Sequence, residues 1–399
     1  MKKPITVDPD LILRLPDKDE ADPQISIVIP ALNESLTIKE FVTWCHEGLN
    51  KAGIKGEILI VDSSSDGTDD IALAAGARVL KAPQRGLGRA YIDAIPFIRG
   101  KYVILGDCDL TYDFRELKTF VAPLHAGAEF VMGSRFLGYI EPGAMPALHR
   151  YFGTPVTTFI LNFIYRSDYS DIHCGMRALT LEAFKRLNLQ SQSWEYASEM
   201  VLKAARMKMR IAQAPIRFYK DRPGRLSHHK RSGWLSPWHA GWINLKAMFL
   251  NAPEFFLFRP GAVLFCIGFF LVLLTSWGPR TIGPVTFSLH WMLFGMTLAT
   301  VGCGAFQLGI LGRVYNNFDP DFTVWIRRVL TYDRGTLGGL GTAAIGVMLT
   351  IPTIVSYLFG GLQLLDIRYF SILGLLLIIL GFQVFTFTLI FELIVNKQD

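Results

Sequence analysis

The sequence predicts two structural classes in one chain. An α/β domain on a mostly parallel sheet comes first, and a transmembrane domain of four helices follows. Three observations lead there. Short β-rich runs alternate with helix-patterned stretches between residues 24 and 220. Polar residues cluster just after each of those runs. Beyond about residue 257 the apolar residues gather into long stretches without charge.

Composition agrees with this division. The chain has 399 residues, and its charged fraction of 19% lies below the ~25% of ordinary soluble chains. With 51% hydrophobic residues, extensive disorder is excluded. A net charge of +6 suits an anionic partner, either nucleic acid or a membrane surface. The five cysteines are scattered, odd in number and without a CxxC pair, so neither a disulfide framework nor a zinc site is expected. Residues 1–22 read as a polar N-terminal extension without the apolar core of a signal peptide. A cytoplasmic location is therefore expected for the first domain.

The elements follow in order. Ile25 to Pro30 is a short apolar run ending at a turn, and Glu40 to Leu49 has helical periodicity. Glu57 to Val61 is a second β-run, ending at Asp62. Tyr102 to Leu105 is a third, ending at Asp107, and Glu129 to Met132 a fourth, ending at Gly133. Strands alternating with helices imply a parallel sheet, whose ligands bind at the carboxyl ends of the strands. This domain is expected to span residues 23–230.

Residues 231–259 form a basic, aromatic junction. Trp234, Trp238 and Trp242 recur at helical spacing, which suits amphipathic helices lying in a membrane interface. The transmembrane domain, residues 260–399, holds four uncharged runs: Gly261 to Pro279, Thr281 to Leu311, Gly335 to Leu365 and Tyr369 to Phe391. Each contains the ~20 residues needed to cross a bilayer as a helix. Arg313, Arg327, Arg328 and Arg334 all fall between the second and third runs, so that loop is expected on the cytoplasmic side, with both termini.

The chemistry concentrates at the strand ends. Asp107 and Asp109 flank Cys108, and a carboxylate pair of this kind suits a hard divalent cation whose remaining ligands come from a diphosphate. Pro30-Ala31-Leu32-Asn33-Glu34 follows the first strand, and Asp62 to Thr68 follows the second. Carboxylates there can accept hydrogen bonds from a base or ribose. Asn33 or Ser35, and Asp66 or Thr68, can equally cap the following helices. Gly86 opens Gly-Leu-Gly-Arg-Ala-Tyr, which is not a dinucleotide fingerprint because its third glycine is missing.

Taken in this order, these motifs resemble family 2 glycosyltransferases of GT-A fold, a Rossmann-like α/β architecture. Within that family they look most like polyprenyl-phosphate glycosyltransferases of the dolichol-phosphate mannose synthase group. Pro30 to Glu34 resembles PxxNE, and Asp62 to Thr68 resembles DxSxDGT. Gly86 to Tyr91 resembles GLGxAY, and Asp107 to Asp109 the metal-binding DxD. Gly133-Ser134-Arg135 resembles GSR, and Cys174 to Ala178 the SGFRA segment. The basic segment Arg222 to Lys230 departs from the usual order of arginine, glycine, serine and lysine.

The resemblance implies an inverting, metal-dependent hexosyltransferase. Sugar moves from a nucleotide-diphosphate sugar, GDP-mannose or UDP-glucose foremost, to a polyprenyl phosphate. Asp107 and Asp109 would hold Mg²⁺ or Mn²⁺. Pro30, Asn33, Glu34, Asp62, Asp66, Gly86 and Asp107 would line the donor site. Arg135, Arg177, Arg222 and Arg225 are the implied acceptor-phosphate ligands. Glu195, ranked ahead of Glu199 on the same predicted helix, joins Asp107 and Asp109 as a catalytic candidate; a salt bridge from that helix to Lys203 is the bland alternative. The membrane is an expected partner, a homo-oligomer is compatible, and nucleic acid is not expected. Two other readings share some of these features: a polysaccharide synthase of the same family, whose QxxRW motif is not found, and a carrier or scaffold for lipid-linked sugar.

Overall fold

The structure is a computed structural model and describes residues 8–84, 86–222, 252–315, 320–360 and 368–396. The chain forms two compact units, residues 1–251 and 252–399.

The first unit is built on an eight-stranded sheet in the order β1-β4-β3-β2-β5-β7-β6-β8. Its centre is parallel: β2 (Ile25–Ala31) lies between β3 (Gly56–Asp62) and β5 (Tyr102–Leu105), and β4 (Arg78–Lys81) flanks β3. Parallel strands covered on both faces read as continuous apolar runs, which is why β2, β3 and β5 stand out in the sequence. Helix α1 (Ile38–Ala52) returns from β2 and closes on Gly53, whose φ of 64° supplies the left-handed cap. Helices α2 (Thr68–Ala74) and α3 (Leu87–Ala94) follow β3 and β4.

Beyond β5 the topology changes. Helix α4 (Lys118–His125) leads to β6 (Phe130–Ile140), and α5 (Thr154–Tyr165) leads to β7 (Arg177–Thr180). Strand β7 inserts antiparallel between β5 and β6. Helices α6 (Leu181–Leu187) and α7 (Tyr196–Arg206) precede β8 (Ile211–Phe218), which pairs parallel with β6. The fourth β-run is therefore much longer than Glu129 to Met132, and only its first half is buried. Part of the stretch expected as a polar extension, residues 1–22, belongs to the sheet: β1 (Ile12–Arg14) pairs antiparallel with β4. Three residues are too few to show a period, so that strand left no mark in the sequence.

A buried ionic cluster ties the far edge of this sheet. Glu57 accepts from Ser26, Arg78 and Arg99, and Arg78 also donates to the Phe97 carbonyl. Both Glu57 oxygens are hydrogen-bonded, which is the condition under which a buried carboxylate is tolerated, while Arg78 Nε has no partner among the described residues.

Among the described residues, the second unit has four helices long and apolar enough to cross a membrane. Helix α8 (Arg259–Thr275) is entered through a wide turn, Glu254–Phe258. Helices α9 (Leu289–Tyr315), α11 (Tyr332–Phe359) and α12 (Tyr369–Asn396) are the other three. At ~1.5 Å per residue, 27 or 28 residues reach about 40 Å, more than the hydrocarbon core requires. The run expected from Thr281 begins instead as a hairpin of β9 (Arg280–Ile282) and β10 (Val285–Phe287). An uncharged Thr/Val/Phe stretch has no period that separates strand from buried helix. Helix α10 (Pro320–Val329) lies in the arginine-bearing loop. The tryptophan-rich part of the expected interfacial helices, with Arg225, lies outside the described residues.

Helices pair here through glycine. A Cβ on Gly268 would meet the Gly295 carbonyl at 2.5 Å, and one on Gly346 the Gly374 carbonyl at 2.5 Å. Backbones in contact give close packing where no hydrophobic effect operates between helices.

Candidate active site

The sheet register assembles the site. Ala31 lies opposite Asp62, and Asp62 lies opposite Lys81, so the ends of β2, β3 and β4 are level. Strand β5 pairs with β2 and runs on through Gly106 to Asp107, Cys108 and Asp109. The acidic residues expected at separate strand ends therefore share the carboxyl edge of the parallel strands, the edge at which open α/β sheets bind ligands.

Asp62 is fully buried. Its Oδ2 accepts from Lys81 at 3.0 Å, while its Oδ1 has no hydrogen-bond partner among the described residues. A buried carboxylate oxygen without a donor is costly, and a ligand N–H or O–H would satisfy it. Lys81 also reaches Asp69 at 2.9 Å. Burial opposes the Lys81 charge, yet the two carboxylates outweigh it and raise its pKa above the ordinary lysine value. The sequence reading missed Lys81 because no strand was assigned there; its register opposite Asp62 is the signal that places it.

The two loops after β2 and β3 are laced together. Asn33 Oδ1 accepts from the Ser65 amide at 3.2 Å, and the Asn33 amide donates to Ser64 at 2.7 Å. Asp66 accepts from the amides of Ser35 and Thr68 at 3.2 and 3.1 Å. Burial would raise the Asp66 pKa, but these hydrogen bonds outweigh it and hold it below the ordinary carboxylate value. Asn33 and Asp66, expected as donor ligands, thus build the loops. Glu34 is buried and accepts from Thr37 at 3.2 Å, and Pro30 is the penultimate residue of β2.

Asp107 and Asp109 are half-buried. Thr111 donates its amide to Asp109 Oδ1 at 3.0 Å and its hydroxyl at 2.5 Å, in a turn where Leu110 takes a left-handed φ of 63°. Tyr91, the last residue of the Gly-Leu-Gly-Arg-Ala-Tyr motif, donates to the Gly106 carbonyl at 3.0 Å just before Asp107. Gly175 closes the other side: a Cβ there would come within 2.7 Å of Asp107 Oδ2. Its amide donates to the Tyr112 hydroxyl at 2.9 Å. Gly86 is set by packing, since a Cβ on it would meet the Gln192 carbonyl at 2.5 Å.

Among the described residues no group of three or more His, Cys, Asp or Glu could hold a metal. The hard-oxygen pair Asp107 and Asp109 still fits Mg²⁺ or Mn²⁺ when a diphosphate brings the other oxygen ligands, and not a resident, fully protein-coordinated ion.

The four expected acceptor arginines part company. Arg135 is buried in a two-point pair with Asp171, at 2.7 and 2.8 Å. Burial opposes both charges, and the pairing outweighs it, raising the arginine and lowering the aspartate. Arg177 is 1% exposed and donates to the carbonyls of Cys174, Ala197 and Ile172. It staples the loop carrying Gly175 to the start of α7. Both guanidiniums are buried on protein partners, and the acceptor-phosphate role expected of them stays a proposal. Arg222 is different: half of its side chain is exposed, and it pairs with Glu40 at the surface. Three residues before it, backbone from β8 packs beside the turn that follows Asp109, where the Tyr219 amide donates to the Thr111 carbonyl and the Tyr219 hydroxyl to Asp113 at 3.0 Å. Glu199 is held by Lys203 and by the amides of Gln190 and Ser191, the bland salt-bridge alternative. Glu195, one turn earlier, is half-buried at the N-cap of α7.

Carboxylates gathered at the carboxyl edge of a parallel sheet, in a chain with four long apolar helices, are the outline of a membrane glycosyltransferase. Residues 26–187 match glycosyl transferase family 2, and residues 310–395 match the glycosyltransferase family 2 C-terminal transmembrane region. The chain is 32% identical over 382 residues to the low-salt glycan biosynthesis hexosyltransferase Agl6 of Haloferax volcanii, covering 94% of this chain and 89% of that protein. It is 29% identical to glycosyltransferase AglJ of the same organism, over 70% of this chain and 91% of that one. It is also 29% identical to a dolichyl-phosphate hexose transferase from that organism, over 43% of this chain and 72% of the relative. Glucosyl-3-phosphoglycerate synthase from Mycobacterium tuberculosis, solved with Mn²⁺ and uridine-diphosphate-glucose, aligns over 58% of this chain and 80% of its own, with 21% identity and a TM-score of 0.43. The chain belongs to glycosyl transferase family 2 and is a multi-pass membrane glycosyltransferase.

Proposed function

We propose that the protein transfers a hexose from a nucleotide-diphosphate sugar, GDP-mannose or UDP-glucose, to a polyprenyl phosphate on the cytoplasmic face of a membrane. The observation that carries this reading is the buried Asp62 Oδ1, unsatisfied among the described residues, on the same sheet edge as Asp107 and Asp109, in a chain with four apolar spans. Asp62 would accept from the base or ribose. Asp107 and Asp109 would hold Mg²⁺ or Mn²⁺, which when bound neutralises a leaving diphosphate.

An acceptor phosphate is ionised at neutral pH, so its oxygen needs alignment more than deprotonation. That oxygen would form a bond to C1 as the bond from C1 to the nucleoside diphosphate breaks. In-line attack inverts the anomeric centre. Arg222 is the favoured phosphate ligand. Its surface pair with Glu40 exchanges partners cheaply, whereas the buried pair of Arg135 does not. Arg225, and the catalytic role of Glu195, belong to the same proposal.

The test is product formation by purified full-length protein with undecaprenyl phosphate, Mg²⁺ or Mn²⁺, and labelled GDP-mannose, UDP-glucose or UDP-N-acetylglucosamine in separate reactions. Label should enter the organic phase with one donor. Donor binding without lipid-soluble label from any of them would overturn the assignment. Arg222→Ala should raise the KM for lipid phosphate about tenfold and leave donor KM unchanged, the loss of one charge-assisted contact of ~1.4 kcal/mol.

A further inference from the structure

We propose that the outer face of α5 and the turn before it lies on the lipid bilayer, so that the catalytic unit meets the membrane through its own surface as well as through the spans. The wide turn His149–Gly153 runs directly into α5, making one continuous helical segment. Leu148, Tyr151, Phe152, Val156 and Phe159 recur along it at three- and four-residue steps, and all are exposed. Tyr151 and Phe159 are 73% and 69% exposed. An exposed apolar stripe of this size marks an interaction surface.

The charges choose the occupant. From Pro142 to Ser167 there is no aspartate or glutamate, while Arg150 and Arg166 stand near the two ends. Aromatic residues flanked by arginine, with no acid between, suit an anionic headgroup layer. The four spans of the same chain keep such a surface constantly available.

The buried face of the segment, Thr154, Thr158 and Leu161, and its two flanks hold the loop that leads to Gly175: Thr158 accepts from the Ile172 amide at 3.5 Å. Asn162 donates to the Tyr169 carbonyl at 2.8 Å and accepts from its amide at 3.0 Å, and Thr157 lies 2.8 Å from His173 Nε2. That loop continues to Gly175, against Asp107. A helix is ~10–12 Å across, so headgroups on its outer face would sit about one helix diameter from the loop. The contact goes beyond the proposed reaction and stands whichever sugar is transferred.

The experiment uses full-length protein with Cys266→Ser, in nanodiscs of phosphatidylcholine and phosphatidylglycerol at 3:1. Bimane is attached at Phe159→Cys or Phe152→Cys, with Lys185→Cys on α6 as the aqueous control. Both stripe labels should be blue-shifted and quenched at least threefold more by doxyl-labelled lipid than the control, with iodide showing the reverse order. Iodide quenching equal to the control would overturn the proposal. Protection from both quenchers would also overturn it, because a protein surface would then be the cover. Two stripe positions keep the result readable if one variant fails to fold.

Discussion

The two units bury polar groups in opposite ways. In the α/β unit, charge is taken inside and paired across the fold: Glu57 with Arg78 and Arg99, Asp171 with Arg135, Arg177 with three carbonyls. In the membrane unit, hydroxyls turn back on their own helices, as Thr275 does to Leu271 and Thr388 to Val384, and helices meet at glycine. The difference follows from solvent. Water drives the first unit's collapse, so buried ion pairs can position loops. Lipid gives no such drive, so the second unit depends on close approach of backbones.

The largest effect should fall on chemistry alone. Asp109→Ala is expected to lower turnover at least a hundredfold, with a much smaller change in the thermal unfolding midpoint, since Asp109 is half-buried and accepts from Thr111 within its own turn. A large loss of stability with retained turnover would show that the pair is structural.

Arg177→Met sharpens the contrast. It leaves three carbonyls without their donor and should destabilise the α/β unit by about 3 kcal/mol. Turnover should fall with it, because the Gly175 loop loses its staple. An acceptor KM that rises without loss of stability would return Arg177 to the phosphate site. In the membrane unit, Gly268→Leu should separate α8 from α9 at about 1–3 kcal/mol and leave donor binding intact. Weakened donor binding in that variant would break the division between the units.

The smallest effect is a pH dependence. Burial, as the largest cause, lowers His173 to about 4 from its ordinary 6.5. The neutral ring therefore contributes stability above pH 6.5 that is lost as pH falls toward 4. Partial exposure screens the effect to about 1–2 kcal/mol. Unfolding midpoints across this range should flatten in His173→Gln; an unchanged slope would place the sensitivity elsewhere.

These contrasts also explain what was legible in the sequence. Asp62 and the Asp107–Asp109 pair could be read because each ends a buried parallel strand, and such strands announce themselves as unbroken apolar runs. Arg135 and Arg177 could not be judged, because their partners are distant or are backbone: Asp171 is 36 residues from Arg135, and carbonyls carry no sequence signal. The functional weight of Asn33 and Asp66 was open for a related reason. Capping and ligand binding call for the same side chains, and the lacing of the two loops is a tertiary contact that no local pattern displays. In the membrane unit the spans were plain. The hairpin at residues 280–287 was not, since composition cannot separate a short strand pair from the start of a helix.

The most direct measurement is a single turnover of full-length protein in nanodiscs, with and without polyprenyl phosphate, following nucleoside diphosphate and lipid-linked sugar together. The account predicts equal amounts of both with acceptor present and neither without it. Nucleoside diphosphate released with no lipid-linked sugar would contradict it.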